Sequence, residues 1–379
     1  MNILIALGVP CMREAGTAGL VLQQAEELRK LGHRVDCWFF ADVITKPRWP
    51  ARLSDLEFAW RLSRRIRKNP TQYDVVNLLA PWGCVYGLSR KLFPSPDLPL
   101  YVFTMQGSEE RYALVMRAED RKGRATNFRW KNRLWHRVYH QTLYDLSIST
   151  AAFGAVANRE GWTHSELKYR FQPGRIWYVP NGVNKEFFQP RTFCEGAATR
   201  LLFVGTWLDR KGIYYLVDAF TQLAPRLPSL TLTVAGCMLD EQQIRAYFPM
   251  EIRTRVSVVP FISREAMPAI YGGHDILVLP SLIEGMPLSL LEAMATAMPL
   301  VTTNTCGMAD VIEDNFNGLL VPAANGPALA ASIQRLRESP ELRKSLGAQA
   351  QQTARRYTWD AIARQLETIF LQAVRSKRT

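Results

Sequence analysis

Nowhere in its 379 residues does this chain offer about 20 uninterrupted apolar residues, so no transmembrane helix of ordinary length is expected. The uncharged opening run Met1–Met12 is too short to span a bilayer, has no basic flank before it, and contains Gly8 and Pro10. It reads as a buried first strand and not as a secretory signal, which places the chain in the cytoplasm. Cysteine is sparse: Cys11, Cys37, Cys84, Cys194, Cys237 and Cys306 lie far apart. None has the paired spacing of a zinc knuckle or redox motif, so reduced, mostly buried thiols are expected. No metal-ligand spacing is visible, and neither is a low-complexity tract or short repeat. Acidic residues also fall short, 34 against 47 basic, for a net charge of +13. The imbalance is local: residues 1–190 hold 28 Lys/Arg against 17 Asp/Glu, and residues 191–379 hold 19 against 17. An excess confined to the first half suits an anionic partner for that half: a membrane face, a phosphorylated acceptor or nucleic acid.

What is present is ordinary globular material, 47% hydrophobic and 21% charged, in a length that suits two domains. The first half opens as a βαβ unit: a strand at 2–7, a helix from about Gly19 to Leu31 closed by Gly32, and a strand at 35–40. Further strands are expected at 75–79, 100–104, 154–157 and 176–179. The pattern restarts at 201–205 and continues at 230–235, 256–259, 276–279, 300–303 and 319–321. Residues 189–199, with Pro190 and Gly196 and little periodicity, read as the linker. The expected architecture is α/β, two doubly wound parallel sheets, with domains at 1–188 and 200–355. Residues 356–379 form an amphipathic C-terminal helix. In such sheets ligands sit outside the carboxyl ends of the strands, so motifs there carry most weight.

One motif, Ser281-Leu-Ile-Glu284-Gly285-Met286-Pro287-Leu288-Ser289-Leu-Leu-Glu292, follows the strand ending near Pro280. Pro287 suits a first helical position, where its missing N–H costs nothing. The free N–H groups of a helix start, with its positive dipole end, hold anions, and Gly285 allows close approach to the backbone. A diphosphate fits. Glu284 before the helix and Glu292 in its second turn should face different parts of an extended ligand, which argues against an acid/base dyad. The second motif, Phe203-Val-Gly205-Thr-Trp-Leu-Asp-Arg210-Lys211-Gly212, is again a strand, a glycine turn and a helix. Arg210 and Lys211 can neutralise phosphates, including charge that grows on a departing diphosphate.

With Val179-Pro-Asn-Gly-Val183, these segments make the chain resemble family 4 of the retaining glycosyltransferases, which have the two-lobed GT-B fold with a cleft between the lobes. The Glu284 to Glu292 spacing is the most specific mark. The resemblance implies that Arg210 and Lys211 grip the diphosphate of a nucleotide-sugar donor, that Glu284 contacts its sugar, and that Glu292 contacts the ribose. Gly205, Gly285, Met286, Pro287 and Leu288 would line the donor. The first-lobe glycine loop of the family corresponds to Ala15-Gly16, where one of two usual glycines is replaced. Many relatives have His-Gly after the fourth strand, whereas this chain has Gln106-Gly107 on the acceptor or sugar side; Gln106 can hydrogen-bond but cannot transfer a proton. The implied reaction is retaining, proceeds by front-face displacement and needs no metal or other cofactor. The family's final helix crosses back to the first lobe.

Nine Arg/Lys and two acidic residues lie between Arg111 and Arg137. At helical spacing Arg129, Arg133 and Arg137 share a stripe, with Trp130, Leu134, Trp135 and Val138 on the broad opposite side. Arg61, Arg64, Arg65, Arg67 and Lys68 form a second cluster. These surfaces suit anionic headgroups on the inner face of a cell membrane, where a glycan or lipid-linked acceptor would be presented. The alternative is that the tryptophans pack inside and the arginines are solvated. No nucleic-acid recognition motif is present. Within the fold, the competing readings are a nucleotide-sugar epimerase, a glycan phosphorylase and a non-catalytic nucleotide-sugar binder; assembly of cell-surface polysaccharide or lipopolysaccharide is the expected setting.

Overall fold

The computed structural model describes residues 1–12, 16–124 and 130–378, without the side chains of 130, 131, 133 and 378. The chain divides into two compact units. One comprises Met1–Ala113, Arg129–Asn181 and Trp359–Thr379; the other comprises Leu114–Phe128 and Gly182–Thr358.

Among the described residues the first unit holds six parallel strands: β1 (Asn2–Ala6), β2 (Arg34–Trp38), β3 (Val75–Leu79), β4 (Leu100–Met105), β5 (Phe153–Val156) and β6 (Ile176–Tyr178), in the order β2-β1-β3-β4-β5-β6. Every residue of β3, β4 and β5 is buried, as expected of strands covered on both faces. The strand positions expected from the sequence agree to within a residue or two. The first helix starts earlier than its apolar pattern suggests, at Gly16, and runs Gly16–Lys30 with Leu20, Val21, Ala25 and Leu28 inward. The helix Arg159–Tyr169 begins at a local cap, where Asn158 Oδ1 accepts from Gly161 N at 2.7 Å.

The helix Trp359–Arg378 buries Ile362, Ala363, Leu366, Ile369, Phe370 and Ala373, one stripe at spacings of three and four. It is part of this first unit although it ends the chain. Gln365 donates to the Tyr178 carbonyl (2.7 Å), Lys377 to that of Leu98 (2.9 Å), and Glu367 meets His33 (2.8 Å).

The second unit holds β7 (Arg200–Val204), β8 (Thr231–Ala235), β9 (Val256–Val259), β10 (Ile276–Leu279), β11 (Leu300–Thr303) and β12 (Leu319–Val321), all parallel, in the order β12-β11-β10-β7-β8-β9. Its core runs through Leu201, Phe203, Leu216, Phe220, Val234, Ile276, Val278 and Val301. Chain direction across the sheet reverses between β7 and β10. Their carboxyl ends diverge there, and the two motifs singled out above follow these two strands.

The basic stretch departs from its expected form. A short π-helical turn, His136–His140, interrupts the helices Trp130–Trp135 and Gln141–Ser149 and shifts the inward face. His136 and Tyr139 are buried there, while Leu134 and Val138 are 60% and 64% exposed. Trp135 stacks on Tyr139 at 4.6 Å between ring centroids. Arg137 is exposed; Arg129 and the side chain of Arg133 lie outside the described residues. The expected clean division into a basic and an apolar side is therefore replaced by an exposed strip that mixes Leu134, Arg137 and Val138.

Candidate functional site

The second unit's candidate site is built from two turns held in backbone contact. After β7, Gly205 adopts φ 142° and Gly212 φ 71°, with the 3-10 turn Asp209–Lys211 between them. Gly212 must be glycine on two counts: its backbone is left-handed, and a Cβ there would lie 1.9 Å from the Pro280 carbonyl oxygen. The absence of a side chain lets the β7 turn touch the end of β10. Leu282 N then donates to the Arg210 carbonyl at 2.8 Å. A similar constraint fixes the loop beyond: a Cβ on Gly307 would lie 2.0 Å from the Gly285 carbonyl oxygen, and Thr303 Oγ1 donates to the Ser281 carbonyl at 2.5 Å.

These contacts bring Arg210, Lys211 and Glu284 together across 73 or more positions of sequence. Arg210 Nη1 lies 3.1 Å from Glu284 Oε2, and Lys211 Nζ 2.5 Å from Oε1. Ser281 Oγ also donates to Glu284 Oε1, at 3.2 Å. The Glu284 side chain is 9% exposed, Lys211 11% and Arg210 34%. Burial pushes the Glu284 carboxyl up, but the charges and hydrogen bonds of Lys211 and Arg210 more than offset it, so it sits below the ordinary carboxylate range.

The helix after this loop, Leu288–Ala295, begins one residue later than expected. Pro287, with φ −70° and ψ 128°, is extended and precedes the helix as its cap residue, not its first member. The dipole argument survives, because the first N–H groups of any helix have no partner within it. Met286 and Pro287 are buried and Gly285 and Leu288 half-buried. Glu292, in the second turn, accepts a 2.8 Å hydrogen bond from Tyr271 Oη. Burial raises the Glu292 carboxyl above its ordinary range, the Tyr271 bond pulling the other way; burial and the neighbouring carboxylate hold the Tyr271 phenol well up. Tyr271 and Gly307 carry no signal in the linear sequence, because each reads as an ordinary helix residue until the fold places it.

The remaining predicted residues belong to the first unit. Gln106 and Gly107 follow β4, half-buried, and Gln106 Oε1 accepts from Asn181 Nδ2 at 3.0 Å. Gly16 is the exposed first residue of its helix, not part of a loop, and a Cβ there would meet nothing within 4 Å. Ala15 lies outside the described residues. Among the described residues no group of three or more His, Cys, Asp or Glu side chains could hold a metal ion, and no helix is long and apolar enough to cross a membrane.

Against known proteins, residues 185–353 match the family described as Glycosyl transferases group 1. The alpha-D-kanosaminyltransferase of Streptomyces kanamyceticus is 30% identical over 172 residues, covering 45% of this chain and 45% of that protein. The chain spans about half the length of several of the curated relatives it matches. Among solved structures, sucrose-phosphate synthase from Thermosynechococcus elongatus superposes with a TM-score of 0.78 at 19% identity, over 99% of each chain. Anabaena HepE in complex with UDP-glucose gives 0.69 at 16%, over 97% of this chain and 98% of the other. The fold is that of the GT-B glycosyltransferases.

Proposed function

With residues 185–353 matching the glycosyl transferases group 1 family, we propose that the chain transfers a sugar from a nucleoside diphosphate donor to a hydroxyl of a glycan or lipid-linked glycan. The observation that carries this is the convergence of Arg210 and Lys211 on Glu284, beside the start of the Leu288–Ala295 helix, where the second sheet reverses direction. Two cations and a helix start are the chemistry that holds a diphosphate.

In the reaction as proposed, an acceptor oxygen attacks the anomeric carbon from the face on which the diphosphate leaves. The bond from that carbon to phosphate oxygen breaks, and the departing phosphate takes the acceptor's proton. Configuration is retained. Arg210 and Lys211 stabilise the growing charge on the leaving group, Glu284 hydrogen-bonds the donor sugar, and Glu292, oriented by Tyr271, faces the ribose. Gly205 and the backbone from Gly285 to Leu288 complete the donor side, with Gln106 and Gly107 on the acceptor side. No step of this proposal calls on a metal.

Assembly of cell-surface polysaccharide is the proposed setting, and the basic first half supports it. There, exposed Arg137, with Arg129 and Arg133, would face the anionic inner leaflet of a membrane. Gln106 favours one other reading, a nucleotide-sugar binder without turnover, because an amide cannot take or give the proton that a histidine could.

The test is a panel of UDP-, GDP- and ADP-sugars incubated with the protein and a membrane extract, following free nucleoside diphosphate and labelled product. Transfer that is lost in Glu284→Ala is the expected result. Donor binding without turnover on any acceptor would favour the binder, with Gln106→His as the variant expected to restore transfer.

A further inference from the structure

Asn181, in the segment Val179-Pro-Asn-Gly-Val183, takes no part in the reaction as drawn so far. Its place in the fold gives it one. The neighbouring strands β4, β5 and β6 are each followed closely by an amide side chain: Gln106, Asn158 and Asn181. Ala157 N donates to the Met105 carbonyl (3.0 Å) and Val179 N to that of Val156 (2.8 Å), so the sheet's backbone register carries on towards these three residues. Asn158 is spent on its own helix, where it accepts from Gly161 N. Asn181, 2% exposed, instead spans the end of β5: its Nδ2 donates to Gln106 Oε1 at 3.0 Å. Gln106 is half-buried, and among the described residues its Nε2 has no partner.

The two ends of a carboxamide are nearly equal in size, so packing alone does not choose between them; a hydrogen bond does. With its oxygen taken by Asn181, Gln106 has one orientation left, carbonyl towards Asn181 and N–H groups away from it. An outward carbonyl would select O–H donors. An outward N–H selects an oxygen lone pair and cannot take a proton, which fits a reaction in which the departing phosphate takes it.

We propose that Asn181 is a positioning residue that makes Gln106 a hydrogen-bond donor towards the substrate, its N–H meeting a lone pair of a hydroxyl or ring oxygen of the reacting sugars. The identity of that oxygen rests on the glycosyl transfer proposed above; the orientation of Gln106 rests on the hydrogen bond alone. Asn181→Asp is close in size but, ionised, offers only acceptors, so Gln106 must turn its N–H groups to it and its carbonyl outward. Asn181→Leu offers neither and leaves both orientations open.

The experiment measures kcat/KM for transfer in both variants, alone and combined with Gln106→Ala, at a temperature where circular dichroism melts show every protein folded. In parallel, the side-chain amide of Gln106 is followed by NMR with 15N-glutamine labelling, its resonance identified by its loss in Gln106→Ala. Asn181→Asp should lower kcat/KM at least about tenfold, the worth of one hydrogen bond, and Asn181→Leu about two- to threefold, as orientations mix. Neither should matter by more than about twofold in the Gln106→Ala background, where there is nothing left to orient. The Gln106 amide protons should move downfield and exchange more slowly in Asn181→Asp, now bonded to the carboxylate. Should Asn181→Asp fail to fold, Asn181→Leu carries the same test through its loss in one background and silence in the other. Unchanged transfer in the Asn181 variants, an equal loss in the Gln106→Ala background, or a Gln106 resonance indifferent to Asn181→Asp overturns the proposal. The expected resonance shift in a chain that transfers no sugar from any donor would uphold the orientation and remove the glycosyl-transfer reading.

Discussion

Replacing Glu284 by alanine should separate two roles that the site's geometry assigns to one carboxylate. In the folded chain Glu284 neutralises Arg210 and Lys211 at 3.1 and 2.5 Å, with only 9% of its own side chain exposed. Removing one partner of a buried ion pair costs about 3–5 kcal/mol when the stranded charge cannot reach water. Arg210 is 34% exposed and can rehydrate, whereas Lys211, at 11%, largely cannot, so a loss of about 2 kcal/mol is expected. In a unit of this size that lowers Tm by about 4–8 °C. The same change removes the group that competes with a ligand phosphate for the two cations. Free UDP, or whichever nucleoside diphosphate fits, should therefore bind about fivefold tighter, equivalent to about 1 kcal/mol of relieved competition. Turnover of the nucleotide sugar should nevertheless be lost, because the sugar's hydrogen-bond acceptor has gone. Thermal melts and titration calorimetry with the free diphosphate and the intact donor read these effects separately. The pH dependence adds a sign check. Because the Glu284 carboxyl lies below its ordinary range, its stabilising contribution is present above that range and is lost as pH falls through the lowered value. The gap in Tm between the two proteins should close in acid. An unchanged Tm at neutral pH, or tenfold weaker binding of the free diphosphate, would refute the reasoning.

Gly212→Ala should lower Tm by several degrees or prevent folding, since its Cβ would meet the Pro280 carbonyl oxygen at 1.9 Å in a backbone at φ 71°; a melt unchanged to within a degree would show that the two turns separate freely. Tyr271→Phe strands the buried Glu292 carboxylate, so urea unfolding should show a loss of about 1–3 kcal/mol at neutral pH. The loss should shrink in acid, because the Glu292 carboxyl is already raised by burial and its charged form is what suffers: stability tied to this group is full below the ordinary carboxylate range and declines as pH rises through the folded value. Glu292→Gln keeps a hydrogen-bond acceptor for Tyr271 without the buried charge, and should raise Tm by about 2–4 °C at neutral pH while weakening donor binding; a fall in Tm would mean that the charge itself stabilises the fold.

The repeated alternation of short apolar runs and helical segments was enough to place the strands of the described residues, because the central strands β3, β4, β5, β10 and β11, buried on both faces, cannot hide their composition. Spacing and residue type also marked Arg210, Lys211, Glu284 and Glu292, since a cationic turn and a helix start after a strand are local features. What the linear pattern could not supply was partnership. That Glu284 lies between Arg210 and Lys211 follows from the reversal of strand order between β7 and β10, and from Gly212 and Gly307 letting backbones approach where any side chain would collide. Tyr271 is buried against Glu292 only because its short helix is folded beside Leu288–Ala295. The basic stretch shows the same limit from the other side: a helical wheel put Leu134 and Val138 opposite the arginines, but one π turn rotated the buried face onto His136 and Tyr139. Periodicity is set by near neighbours and is legible in the chain; which charge is neutralised, and which face is buried, depends on groups far apart in sequence and is decided by the packing of the folded sheets.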